Sequence, residues 1–169
     1  MAVSAFTFIG MYDHALAALA NVLEKGRAHV AASGASERDM LGWRLVEDMQ
    51  PLSFQLATVC NFTRQWPARV AGLTVPDGIP EELDVAGYQR AIADARDYLK
   101  TLTPAQFEGR DDLDLTYTIG TNMTLTRPGG SWLTIFATTN IYFHLSTAYD
   151  ILRSRGVQIG KADLFAGGL

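Results

Sequence analysis

The sequence predicts an all-α domain, a small helical bundle that carries one β-hairpin. Three observations predict it. Several long segments repeat apolar residues at helical spacing. Gly, Ser, Asp and Pro punctuate those segments where caps and breaks belong. One stretch alone, Leu113 to Arg127, switches to a period of two.

The first helix runs from about Ala5 to about Ala32, with Phe8, Ile9, Tyr12, Leu16, Leu19, Val22 and Leu23 in register, and Ser33-Gly34-Ala35 ends it. Ser36 to Asp39, SERD, resembles a capping box for a short turn. Leu41, Trp43, Leu45 and Val46 then form a connector expected to lie over the core. The second helix starts at about Asp48, a good N-cap, with Pro51 inside its first turn. Leu52, Gln55, Leu56, Val59, Phe62, Thr63 and Trp66 make its inner stripe; Pro67 is expected to kink it and Gly72 to end it. Residues 73–83, LTVPDGIPEEL, read as a loop. The third helix runs from Asp84 to about Thr101, with Val85, Tyr88, Ile92, Ala95, Leu99 and Leu102 inward and Gly87 weakening its first turns. Thr103-Pro104 opens a further turn that holds Phe107.

In the hairpin, Leu113, Leu115, Tyr117 and Ile119 alternate with Asp and Thr, Gly120-Thr121-Asn122 turns the chain, and Met123 to Arg127 alternates again. Gly129 and Gly130 break what precedes the last helix, Ser131 caps it, and Gly156 closes it. Arg153 and Arg155 suit its negative end. At 100° per residue, Leu133, Phe136, Ala137, Asn140, Ile141, Phe143, His144, Thr147, Ala148 and Ile151 share one broad face. Tyr142, Leu145 and Tyr149 form a smaller patch opposite, with Trp132 to one side. The tail from Val157 to Leu169 reads as irregular.

A chain of 169 residues suits one domain, 1–169, with a full core. A net charge of −4 without a Lys/Arg block argues against nucleic acid and anionic membrane as partners. No apolar run is long enough to span a bilayer. The N-terminal run lacks a basic n-region, and Asp13 and His14 interrupt it, so it reads as helix rather than signal peptide. The lone Cys60 excludes an internal disulfide framework and fits a reducing, cytoplasmic setting.

Asn140 and His144 stand four residues apart, the spacing of two metal ligands on one helix. Neutral, hard Asn is a poor ligand for a transition metal, and a third and fourth ligand would have to come from elsewhere, with Gln55, His14 or a carboxylate as candidates. The competing reading, which weighs more, is a buried polar cluster in which His144 bonds Asn140, a backbone carbonyl or a tyrosine. Asp13 and His14 point about 100° apart and read as solvated helix surface. Cys60 has no local base and reads as inert and buried. The acidic run EGRDDLDL lacks the glycine and ligand spacing of an EF-hand loop and reads as a solvated approach to the hairpin.

The pattern N-x-x-x-H-L-x-T-A-Y-D-I-L-R-x-x-G-V, from Asn140 to Val157, resembles the closing helix of the DinB/YfiT-like superfamily. That helix carries H-x-x-x-H-x-G-Q, then a Leu-Arg pair and a Gly. Here His144 matches the second His, and Leu152-Arg153 and Gly156 fall in register. Asn140 stands where the first His would be, and Thr147 where the Gln would be. The phrases NIYFHLSTAYDILRSRGV and LVEDMQPLSFQ resemble an uncharacterised branch, a domain of unknown function. The resemblance implies a four-helix bundle, up-down-down-up, with a long crossover and the hairpin before the last helix. It also implies a third metal-binding His on the second helix, where Gln55 is the nearest inward polar residue.

Two of the three metal positions are thus replaced. The leading expectation is a cofactor-free, small-molecule-binding or structural protein with a degenerate metal site at His144, Asn140 and Gln55. The alternative is a zinc- or nickel-dependent transferase or hydrolase of the thiol-transferase type. The Tyr142, Leu145 and Tyr149 patch suggests a homodimer.

Overall fold

The order of elements is α1 (Thr7–Ser33), α2 (Glu37–Leu41), α3 (Leu52–Ala71), α4 (Val85–Lys100), a 3₁₀ turn at Pro104–Phe107, then β1 (Asp114–Ile119) and β2 (Met123–Pro128). The last helical run joins α5 (Gly129–Ser131), a π-helical stretch at Trp132–Ala137 and α6 (Thr138–Ser154), and a 3₁₀ turn at Lys161–Phe165 follows. This computed structural model describes residues 4–80 and 82–166. Residues 1–3 of the stretch weighed as a signal peptide, Glu81 of the Pro/Gly loop and residues 167–169 of the tail lie outside the described residues.

The helices pack around one hydrophobic core, α6 most extensively against α3 and α1 against α4. The stripes predicted for α1, α3 and α4 are the ones that pack: Leu16, Leu19, Leu56, Val59, Tyr88 and Ile92 are all buried. Asp84 caps α4 through the Gly87 amide at 2.6 Å, as an Asp N-cap should. Ser36 caps α2 through the Asp39 amide at 3.0 Å. Asp13 and Arg96 tie α1 to α4 by a forked ion pair at 2.7 and 3.1 Å, so Asp13 is not simply a solvated residue. The Pro/Gly loop is pinned to α3: Asn61 accepts from the Ile79 amide at 2.8 Å, and Gln65 donates to the Pro76 carbonyl at 3.0 Å.

Several local expectations are corrected. Helix α3 starts at Leu52, with extended Pro51 as its N-cap in place of Asp48. A proline disfavours helical geometry in the residue before it, which keeps the approach out of the helix. The helix then runs through Pro67 to Ala71. In the connector, Leu41 is buried and Trp43 packs on the core, but Leu45 and Val46 are exposed. The tail is not irregular throughout. Its 3₁₀ turn docks on α1, where Asn21 donates to the Asp163 carbonyl at 2.9 Å and Lys25 pairs with the Asp163 carboxylate.

The largest correction concerns the last helix. Gly129 and Gly130 lie inside its first turn, and Ser131 makes no capping bond. The approach to β1 caps the helix instead. The Gly129 amide donates to the Leu113 carbonyl, and the Gly130 amide to the Asp111 carbonyl, both at 2.9 Å. This close approach requires glycine: a Cβ on Gly129 would sit 2.4 Å from the Arg110 carbonyl oxygen. Gly129→Ala is therefore expected to cost about 1–3 kcal/mol, as overpacking does. An unchanged urea midpoint would show that the backbone here yields freely.

A π-helical stretch, whose bonds close i to i+5, precedes the regular α6, in which Leu145 lies one turn from Ile141 and Phe143 about 200° around from it. The buried face of α6 is Ile141, Leu145, Thr147, Ala148, Ile151 and Leu152. Phe143, expected inward, is 58 % exposed, and Leu145, expected outward, is 3 % exposed. Tyr142 and Tyr149 are half-buried against the core, and Trp132 is buried. The apolar stripe that suggested a homodimer is thus largely inside the molecule.

The hairpin pairs antiparallel, Leu115 with Arg127, Tyr117 with Leu125 and Ile119 with Met123. Its threonines hydrogen-bond across the exposed face, Thr116 to Thr126 at 2.8 Å and Thr118 to Thr124 at 2.9 Å. Leu115, Tyr117 and Leu125 pack on the core. Trp132 locks the hairpin down by stacking on Trp66 at 5.0 Å and donating its indole N–H to the Leu115 carbonyl at 2.8 Å.

Candidate functional site around His144

Helix packing of α6 on α3 brings Gln55 and His144 together. Gln55 lies on the buried stripe of α3 with 2 % exposure, and its Nε2 donates to the Gln50 carbonyl at 3.0 Å. That bond turns the amide so that Oε1 faces His144 Nδ1 at 2.6 Å. An amide oxygen only accepts, so Nδ1 carries the proton and Nε2 keeps its lone pair. No described residue hydrogen-bonds Nε2, and it reaches solvent. Phe54 and Phe143 stand edge-on to the imidazole at 5.8 and 5.1 Å. Burial in this apolar setting pulls the His144 pKa below its ordinary value, which favours the neutral ring.

Asn140 does not join this pair. Its Nδ2 donates to the Phe136 carbonyl one turn back, at 2.7 Å. Among the described residues no hydrogen bond links Asn140 to His144, so the expected Asn140–His144 cluster is replaced by a Gln55–His144 pair. His14 is remote from it in function: its Nε2 meets the Leu164 carbonyl at 3.1 Å on the docked tail. Cys60 is fully buried, and burial pushes its thiol up to about 12, which makes it inert.

The donor set does not fit a metal triad. Gln55 and Asn140 offer only neutral amides, with Gln55 Oε1 already on His144 Nδ1 and Asn140 tied through Nδ2 to its own helix, and His144 supplies one imidazole nitrogen. Among the described residues no three His, Cys, Asp or Glu side chains gather as ligands.

The other side of Asn140 opens on a groove of about 390 Å³ between β2 and the π-helical stretch. Leu125, Trp132, Ile135 and Phe136 form its apolar walls, and Arg127, Ser131, Thr139 and Asn140 its polar points. Ile135 is 67 % exposed. The π-helical geometry is held from α1: the buried Tyr12 hydroxyl donates to the Leu133 carbonyl at 2.9 Å, and Thr138 Oγ1 meets the same carbonyl at 2.7 Å. Such π turns recur at functional sites. Sequence reasoning missed this groove. Its one signal was Arg127, a lone cation in the register occupied elsewhere by Leu115, Tyr117 and Leu125.

This mostly helical domain, with a two-stranded hairpin before its last helix and a single histidine, His144, held between that helix and α3, is DinB-like. A crystal structure of a DinB family member from Shewanella denitrificans superposes with a TM-score of 0.85 at 26 % identity, over 95 % of this chain and 90 % of that one. Residues 6–165 match the model of a domain of unknown function, DUF1993, and the chain belongs to that family. A search of the curated proteins finds no match. No described helix is long and apolar enough to cross a membrane.

Proposed function

We propose that this chain is a cytoplasmic, DinB-like four-helix bundle, up-down-down-up, that has exchanged its metal triad for a small-molecule-binding role. The observation that carries this reading is that two of the three ligand positions implied by the family resemblance hold amides that serve the protein's own hydrogen bonds. Gln55 holds His144, and Asn140 bonds its own helix. A groove of a size that suits small ligands, about 390 Å³, lies beside Asn140 and favours binding over a purely structural role. His144, with its Nε2 open, is a hydrogen-bond acceptor four residues along α6 from Asn140.

Protein prepared with zinc and nickel present is expected to carry neither stoichiometrically. Stoichiometric metal that His144→Gln abolishes would overturn the reading in favour of a metal-dependent transferase or hydrolase.

The Gln55–His144 pair also predicts a pH effect. The unfolded chain takes up a proton on His144 near 6.5, whereas the folded chain does so only at lower pH. Between those two values the unfolded state binds more protons, so stability falls as pH drops through that window and levels out below it. Melting of the native chain and of His144→Gln, compared from about pH 8 to about pH 5, should show a shallower loss in the variant. Parallel curves would mean that His144 ionises as freely in the fold as in the unfolded chain.

A further inference from the structure

The groove between β2 and the π-helical stretch has one charged residue on its lining, Arg127. Its position in the hairpin explains how a cation comes to be there. Arg127 lies opposite Leu115 on the strand face that carries Tyr117 and Leu125, not on the threonine face. It makes one local bond, to the Thr126 carbonyl at 2.8 Å, and no described carboxylate pairs with it. The other arginine at the hairpin, Arg69, is spent over the Trp66 and Tyr117 rings at 5.4 and 5.1 Å.

The rest of the lining is suited to an apolar body. Leu125, Ile135 and Phe136 offer hydrocarbon, and Trp132 has committed its indole N–H to Leu115, so it offers only ring surface. Ser131 and Asn140 supply uncharged polar contacts.

From this charge complementarity we infer that the groove binds a small apolar molecule bearing a single carboxylate, with Arg127 as its anchor. The inference rests on the small-molecule reading above and names the ligand class. A guanidinium fork matches one planar carboxylate with two parallel bonds. One cation balances one negative charge, whereas a phosphate dianion would call for a second cation that the lining does not contain.

The test uses the full chain and three probes of equal length, decanoate, decanol and decylamine, read by calorimetry and by tryptophan fluorescence from the groove wall. Decanoate is expected to bind best. Arg127→Gln should weaken it by about tenfold or more and leave decanol unchanged, since bonds to charged groups carry that much. Ile135→Ser, at an exposed position, should weaken decanoate and decanol alike. Decanol binding as tightly as decanoate, with no effect of Arg127→Gln, would overturn the carboxylate class and leave the small-molecule reading standing. Failure of all three probes to bind would overturn both. A dimer in light scattering that Ile135→Asp dissociates would assign the groove to a second copy and overturn the inference.

Discussion

Trp132→Ala is expected to cost about 3–5 kcal/mol, the range for removing a buried aromatic side chain. Trp132 is 2 % exposed and meets Trp66 in a stacked pair at 5.0 Å and 19° between planes. It also meets Phe136 edge-on at 5.4 Å and Tyr117 at 6.1 Å. Its truncation opens a cavity at the junction of hairpin and bundle and strips the Leu115 carbonyl of its indole donor. An isolated two-stranded hairpin is marginal in water. Amide exchange across Asp114–Ile119 and Met123–Pro128 should therefore quicken well beyond the change elsewhere. Trp132→Phe keeps a ring in place and loses the indole bond, so it should cost less. A urea-melt loss under about 1 kcal/mol for Trp132→Ala, with hairpin exchange unchanged, would show that the hairpin docks without this residue.

The regular parts of this fold were readable because local and tertiary preferences agree there. In α4 a capping Asp84 precedes an even 3.6-residue stripe, and Val85, Tyr88, Ile92, Ala95, Leu99 and Leu102 are all buried. The hairpin register follows from alternation with threonine, and Phe107 is buried from its short turn. The last helix misled because its inner stripe was drawn too wide. Within the regular α6, Leu145 lies one turn from Ile141 and shares its buried face, whereas Phe143 lies about 200° around from it.

The candidate site was legible in part: the resemblance grouped Gln55 and Asn140 with His144, and the packing joins Gln55 to His144 but not Asn140. Periodicity alone put Gln55 and His144 each on an inward face, and the hydrogen bond between them depends on how α3 and α6 slide against each other, which periodicity does not fix. Asn140 took a local carbonyl, the competition that short polar side chains regularly offer in helices. The groove was hidden because its walls come from a strand and a helix that only tertiary packing brings together.

Ile141→Ala is expected to cost about 2–5 kcal/mol, whereas Phe143→Ala should stay within about 0.5 kcal/mol. The contrast follows from the phase of α6. Ile141 is 0 % exposed on the face that packs against α3, and Phe143, two residues on, points to solvent. Ile141 neighbours Asn140 in the chain and precedes His144 by less than one turn, so the cavity left by alanine lies beside the candidate site. Partial collapse into it would draw α6 toward α3 and disturb the 2.6 Å bond between Gln55 and His144. Ile141→Val removes one methylene and should cost about 0.5–1.5 kcal/mol while keeping that bond. The imidazole proton resonances report it directly, since Nδ1–H is shielded from exchange only while Gln55 accepts from it. If Phe143→Ala destabilised more than Ile141→Ala, the assigned phase of α6 would be wrong, and the placement of His144 beside Gln55 would fall with it.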